Sequence, residues 1–392
     1  MRTVSATRVG DGLASGHDLV AAAEQAVAEA LEPLEGLVPD LACVFVSGDD
    51  PDECAAALAR AAELCGARNV VGCNAHGVFA SGRAVEAESG VSVWLAHLPA
   101  VTVRAFHLEV LRTADSIAVL GMPDRRPDDV VAVLLADPWS FPIDGFVGHS
   151  DEALRGLPLV GGLASGSTEA GGTRLLLDGK LHERGAVGVV LGGDLSVHAL
   201  VSQGTRPIGR PMTVTAADGA TILELAGRPA LERAKDVVAE LPEQEQPLAV
   251  RGLHLGIAMD EYADEHGHGD FLVRGIVAAD HRSGSISVGD VVEVGTTVQF
   301  LLRDARAATA DLAEVLGAFR ERVGLRAVAG ALLFSCNSRG RAMFDVTEHD
   351  VRAVVDGLGT PSVAGFFAAG EIGPVGGRNH LHGFTATVLG FE

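Results

Sequence analysis

Residues 17–35, HDLVAAAEQAVAEALEPLE, carry apolar side chains at helical spacing in an Ala-rich stretch, which predicts a first helix. LACVFVSGDDP at 41–51 is an unbroken apolar run stopped by Ser47, Gly48 and an acidic turn, the pattern of a buried strand. Pro51 then opens DECAAALARAAELCG, with proline at an early helical position and Gly66 as the C-terminal stop. NVVGCNAHGVF at 69–79 is an apolar run entering a glycine loop, and GVSVWLAHLP at 90–99 alternates as a strand. The same order returns. DVVAVLLADPWSFP at 129–142 predicts a strand, IDGFVGHSDEALRG a helix, and LPLVGGLASGST at 157–168 a second apolar run into a glycine loop. A turn at Asp178-Gly179 and a strand over GAVGVVLGGDLSVHALV, 185–201, complete the unit.

A third copy lies in AGALLFSCNSRGRAMFD at 329–345 and SVAGFFAAGEIGPVGGRNHLHGFTATVLGF at 362–391. Aligning VVGCNAHG (70–77), LVGGLASG (159–166) and VAGFFAAG (363–370) brings Gly72, Gly161 and Gly365 together. Ala75, Ala164 and Ala368 then coincide, as do Gly77, Gly166 and Gly370. Each block follows a polar-ended strand at a distance that leaves room for one crossover helix. Glycine permits close backbone approach, and alanine keeps the adjacent wall thin. The motif therefore reads either as a scaffold turn common to all copies or as a ligand loop. The differing tails HGV, SGS and AGE suggest shared scaffold with unshared chemistry.

Between the second and third copies, 212–241 predicts a strand, an Asp-Gly turn and a helix, and PEQEQPLAVRG at 242–252 predicts a loop. LHLGIAMD (253–260), FLVRGIVAAD (271–280), SISVGDVVEVG (285–295) and TTVQFLLRD (296–304) read as successive strands before a helix at 304–319. Glycine and proline concentrate in VSQGTRPIGRP at 201–211, which places an expected domain boundary there, giving domains 1–205 and 206–392. The expected fold is α/β: two domains with mixed sheets flanked by helices, built partly from repeated strand-helix-strand-Gly-loop units.

Composition narrows the class. Across 392 residues, 47% are hydrophobic and 21% charged, as in a soluble globular protein. Aromatics reach only 4%, so the cores must rest mainly on Val, Leu and Ala. A formal charge of −22 opposes nucleic-acid and anionic-membrane partners. The five cysteines (Cys43, Cys54, Cys65, Cys73 and Cys336) are odd in number and form no CxxC, which predicts reduced thiols. The N-terminus lacks an apolar h-region and no run approaches a membrane span, so a cytoplasmic location is expected.

Candidate chemistry collects where the apolar runs 331–335 and VAGFF end, as at a ligand crevice of an α/β sheet. Cys336 could be a nucleophile, a ligand contact or a structural thiol, and Arg339 and Arg341 nearby would favour its thiolate. These arginines could clamp a carboxylate, with Glu371 taking an ammonium group; equally, an internal Arg–Glu pair could join the two loops. Asn337, Gly370, Asn379 and His382 complete the expected ligand set, and His380 and His382 share a face only if extended. Cys73, Asn74, His76 and Ser165, in the first two glycine loops, form a secondary set. DEYADEHGHGD at 260–270, with His266 and His268, could hold a divalent cation, but a solvated acidic loop is the simpler reading. GGLASG lacks the ending of a P-loop and GxGxxG does not occur, so no nucleotide, other cofactor or metal is expected.

The ordered segments VVGCNAHGV, GGLASG, GAVGVVL and VSQGTRPIG resemble the N-terminal half of the FIST domain family. FLVRGIVAAD, VGTTVQFLLRDA, LLFSCNSRGRAMF, GFFAAGEIGPV and LHGFTATVLGF resemble its C-terminal half. The resemblance covers nearly everything after about residue 38 and implies a sensory module for a small ligand, with amino acids or related small carboxylates as the suggested class. It supplies no catalytic residues. With no F-box or signalling output in view, the expectation is a stand-alone binding protein. A Cys336-dependent acyl-transfer or hydrolytic enzyme and a protein-interaction adaptor are the alternatives.

Overall fold

A computed structural model describes residues 7–113, 116–259, 271–324 and 327–392. The expected cation segment with His266 and His268 lies outside the described residues. The chain packs into two compact units that do not follow a single cut at 205/206. One contains Met1–Val201, Leu312–Leu381 and Thr385–Glu392; the other contains Ser202–Asp311 and His382–Phe384.

The first unit is three turns of one plan. The first turn runs β1 (Arg8–Ser15), α1 (Leu19–Leu31), β2 (Leu41–Ser47), α2 (Pro51–Leu64), β3 (Val70–Ala75), the hairpin β4 (Gly77–Ala80) and β5 (Arg83–Glu86), and β6 (Gly90–His97). The second runs β7 (Val101–Arg112), β8 (Ile117–Leu120), β9 (Asp129–Ala136), α3 (Ile143–Ala153), β10 (Leu159–Leu163), the hairpin β11 (Leu175–Leu177) and β12 (Lys180–His182), and β13 (Ala186–Gly193). The third begins with β14 (Val197–Gln203), which hands over to the second unit. That unit comprises β15 (Thr205–Asp218), β16 (Thr221–Leu225), β17 (Arg228–Pro229), α4 (Ala230–Ala239), α5 (Gln246–Gly252), β18 (Leu253–Ala258), β19 (Phe271–Asp280), β20 (Ser285–Val288) and β21 (Thr297–Arg303). The third turn resumes with α6 (Ala305–Val323), β22 (Gly330–Cys336), α7 (Arg341–Phe344), α8 (His349–Leu358), β23 (Val363–Ala368), the hairpin β24 (Glu371–Val375) and β25 (Arg378–His382), and β26 (Thr385–Phe391).

Each turn supplies a parallel pair, β2–β3, β9–β10 or β22–β23, with an antiparallel return strand on its other side. The hairpins are exchanged in a cycle: β4–β5 extends the third sheet beside β23, β11–β12 the first beside β3, and β24–β25 the second beside β10. Each turn thus completes a neighbour's sheet.

The three sheets enclose one core. Along β9, Val131, Val133 and Leu135 point into it, while Ala132, Leu134 and Ala136 face the outer layer with α3. Cys43 and Phe45 of β2 and Leu332 and Phe334 of β22 do likewise. Burial on both faces explains why these strands read as unbroken apolar runs. The few aromatics meet at the centre, with the rings of Phe45 and Phe366 4.9 Å apart and those of Phe334 and Phe366 5.6 Å apart.

The aligned glycines have one shared cause. Gly72, Gly161 and Gly365 stand in register with Val44, Leu134 and Leu333 on the parallel partner. A Cβ at any of them would drive into that partner's carbonyl oxygen. Three expectations change at this level. The apolar stretch 185–201 is two strands in different sheets, broken at Gly193 (φ 92°). Arg8–Ser15 is a strand, and the expected loop at 242–252 contains α5.

In the second unit every described pairing is antiparallel. β15 bonds β21 along its first half and β16 along its second, so the sheet closes on itself around Ile208, Val214, Phe300 and Leu302.

Candidate functional site

The carboxyl ends of β22 and β23 carry a cluster of buried ionisable groups in the first unit. After Cys336 the chain turns tightly, with Arg339 N–H donating to the Cys336 carbonyl at 2.8 Å and Asn337 N–H to that of Ala368 at 2.8 Å. The turn is pinned from outside by Glu86 of β5, whose Oε2 accepts the Arg341 N–H at 2.8 Å. That carboxylate fills the space where a side chain at Gly340 would sit.

The turn sends Arg339 inward, where it is fully buried. Its Nε and Nη2 donate to Oδ2 and Oδ1 of Asp350 at 2.8 and 3.0 Å, a bidentate pair. Ser335 Oγ donates to Asp350 Oδ2 at 2.6 Å, and His349 Nδ1 lies 2.9 Å from Oδ1. Burial alone would push the Asp350 carboxyl up, but Arg339, His349 and Ser335 hold it well below the usual carboxylate range. The His349 ring stacks on Phe344 at 3.6 Å and 7°, with the Arg339 guanidinium 5.4 Å from the same ring. The Arg–carboxylate pair of this region is therefore Arg339–Asp350, and the expected Arg–Glu pair is not the one that forms the fork.

Glu371 opens β24 and is fully buried. Its Oε2 accepts the Thr385 N–H at 3.2 Å and the Thr385 hydroxyl at 2.8 Å. Its Oε1 is buried with no nitrogen or oxygen donor on it, and the Cys336 thiol meets the same carboxyl as a weak donor. Burial pushes this carboxyl up to about 8, against the opposing pull of Thr385, the Arg339 charge and the Cys336 thiol. Glu371 is thus mostly a neutral acid at pH 7. The Cys336 sulfur lies 3.1 Å from Ser338 Oγ. Cys336, Arg339, Asp350 and Glu371 form one electrostatic group.

The other expected contacts divide. Asn337 and Arg341 are exposed on the turn, and Gly370 gives its carbonyl to Leu163 N–H at 2.8 Å. Asn379 is buried with its amide fully engaged: Oδ1 accepts from Leu159 N–H at 2.8 Å, and Nδ2 donates to Leu157 O at 3.0 Å and Ser150 Oγ at 3.1 Å. His382 is buried and belongs to the second unit. Cys73 is core, its thiol pushed well up by burial. Asn74 bonds Gly172 O at 2.9 Å and Arg174 N–H at 2.8 Å. Ser165 ties the three glycine loops together, donating to the Phe367 carbonyl and accepting the His76 N–H at 2.9 Å, while the His76 residue is exposed. Asp350, His349, Ser335 and Thr385 were not legible as site residues. Asp350 in the first turn of α8 looks like an ordinary helix-dipole partner.

Residues 40–228 match the family model of the FIST N domain and residues 230–374 that of the FIST C domain. Uncharacterized protein Rv0628c of Mycobacterium tuberculosis is 45% identical, over 98% of this chain and 99% of its own. Uncharacterized protein Mb0898c of Mycobacterium bovis is 41% identical over 98% of each. A sensory or ligand-binding role fits this family. Among the described residues, no helix is long and apolar enough to cross a membrane.

Proposed function

The chain belongs to the FIST family, and from that premise we propose that it is a cytoplasmic sensor of a small amino compound, an amino acid or related zwitterion, bound at Glu371. The observation that carries this reading is the fully buried Glu371 carboxyl, bonded at Oε2 by Thr385 and met beside it by the weak thiol donor of Cys336, with burial favouring its protonated form. A buried acid in that state has unused capacity for a cation, and a ligand ammonium group would ionise it. Arg339 is held by Asp350, so the ligand's carboxylate falls to Arg341, exposed at the start of α7. In this reading the 337–341 turn opens to admit the ligand.

The test is a thermal-shift screen of amino acids and small amines, followed by calorimetric titration of any hit at several pH values. Affinity should rise about tenfold per pH unit up to pH 8, with one proton released per ligand. Glu371→Gln should remove both the proton release and most of the affinity. Equal affinity at pH 6 and pH 8, or full binding by Glu371→Gln, contradicts the proposal. No shift across the panel moves weight to a protein-interaction role. The enzymatic alternative needs a base to take the Cys336 proton, and a protonated Glu371 does not supply one. Cys336→Ser should accordingly keep its affinity; a covalent adduct that disappears in that variant favours the enzyme.

A further inference from the structure

The three turns differ in the helices that cover their sheets. On the first sheet the outer face is covered by two helices, α1 and α2, joined by the Arg60–Glu24 pair at 2.7 Å. On the third it is covered by α6 and α8, which approach so closely that a Cβ at Gly357 would meet Leu316. On the second sheet, among the described residues, α3 is the one helix present. Where a second helix would lie, the chain instead forms β8 and the loop 121–128. Between them and α3 a cavity of about 830 Å³ remains. This is within the range of small-molecule sites, roughly 300–1,000 Å³.

Its apolar lining includes Ile117, Val119, Met122, Phe146 and Leu154. Its polar lining is mostly basic, with Arg125, His149 and Arg155 against Asp124, in a chain whose formal charge is −22. Arg125 is held 3.3 Å from Asp129, yet its Nε is buried and has no hydrogen-bond partner. His149 uses Nδ1 on the Gly145 carbonyl at 2.7 Å. Arg155 is exposed, on a left-handed residue (φ 50°) just past α3.

We infer that this cavity is a second ligand site, separate from Glu371, for an apolar monocarboxylate: the hydrophobic body lies against the apolar lining and the carboxylate meets Arg125 and Arg155. The apolar surface left by the absent helix supplies the driving force, and the guanidinium groups set the sign of the charge.

The probe is decanoate, titrated by calorimetry into the full chain, with decyltrimethylammonium and decanol as charge controls. Decanoate should bind at least tenfold more tightly than either control. Gly145 lines the cavity and a Cβ there meets nothing within 4 Å, so Gly145→Leu should block binding while leaving the helix intact. Arg155→Asn tolerates the same backbone and should weaken decanoate about tenfold with little effect on decanol, the loss expected for one charge-assisted contact. Melting temperatures of both variants show whether they fold. Equal binding of decanoate and decyltrimethylammonium, unchanged binding by folded Gly145→Leu, or no binding by the wild type overturns the inference.

Discussion

At the residue scale, the site is decided by how two buried carboxyls are treated. Asp350 is ionised because a guanidinium, an imidazole and a hydroxyl converge on it; Glu371 is neutral because its bonds do not offset its burial. Removing one member of a buried pair leaves the other charge uncompensated, so Asp350→Ala should cost about 3–5 kcal/mol in denaturant unfolding. Arg339→Met with Asp350→Leu should cost less than either single change. Glu371 has the opposite linkage. Its folded pKa is raised, so the folded state holds a proton that the unfolded state has released between about pH 4.5 and 8. Its contribution is complete below pH 4.5 and lost as pH rises through 8, up to about 5 kcal/mol. Asp11, pushed up to about 6 by burial, has the same sign. The wild-type stability curve minus that of Glu371→Gln, measured from pH 5 to 9, isolates the effect and should fall with pH. Cys336, Arg339 and Glu371 stand out in the sequence because they are polar residues at or just after the ends of the apolar runs 331–335 and VAGFF. The partner of Arg339 was not, since Asp350 meets it only after the chain has turned through α7.

At the scale of elements, the repeated glycines are the clearest signal the sequence carries, because at these three positions the partner strand's carbonyl oxygen comes too close to leave room for a Cβ. Gly72→Ala, Gly161→Ala and Gly365→Ala should each destabilise by about 1–3 kcal/mol or more, seen as a lowered melting temperature. Gly317→Ala in α6, where nothing lies within 4 Å of the new methyl, should instead stabilise by about 1 kcal/mol. The same close packing hid β1. Gly10 and Gly12 weaken its strand pattern, yet both are required where α1 presses its Ala30 and Ala26 carbonyls against them. α5 was concealed by the prolines around it, one of which sits at its first turn, where proline is tolerated.

At the scale of the molecule, three similar turns were readable from their recurring order, but the exchange of hairpins was not. No local pattern tells β4–β5 to join a sheet built more than two hundred residues later. The exchange makes the first unit interdependent: a fragment of residues 1–205 lacks β22, β23 and β26, leaving β14 without its partner and the β4–β5 hairpin without the sheet it extends. It should show little protease resistance and no cooperative melt. The second unit has its own closed sheet and core, so residues 202–311 should fold alone, as judged by circular dichroism and amide dispersion.

The central claim is that Glu371 is held as a neutral acid at neutral pH. The most direct measurement is its side-chain carboxyl ¹³C titration by NMR, assigned by the resonance missing from Glu371→Gln. A midpoint near pH 8 is expected, shifted downward by any ammonium ligand that binds there. A midpoint in the ordinary glutamate range near 4.3 would mean that the carboxyl is already ionised and matched, and would contradict the account.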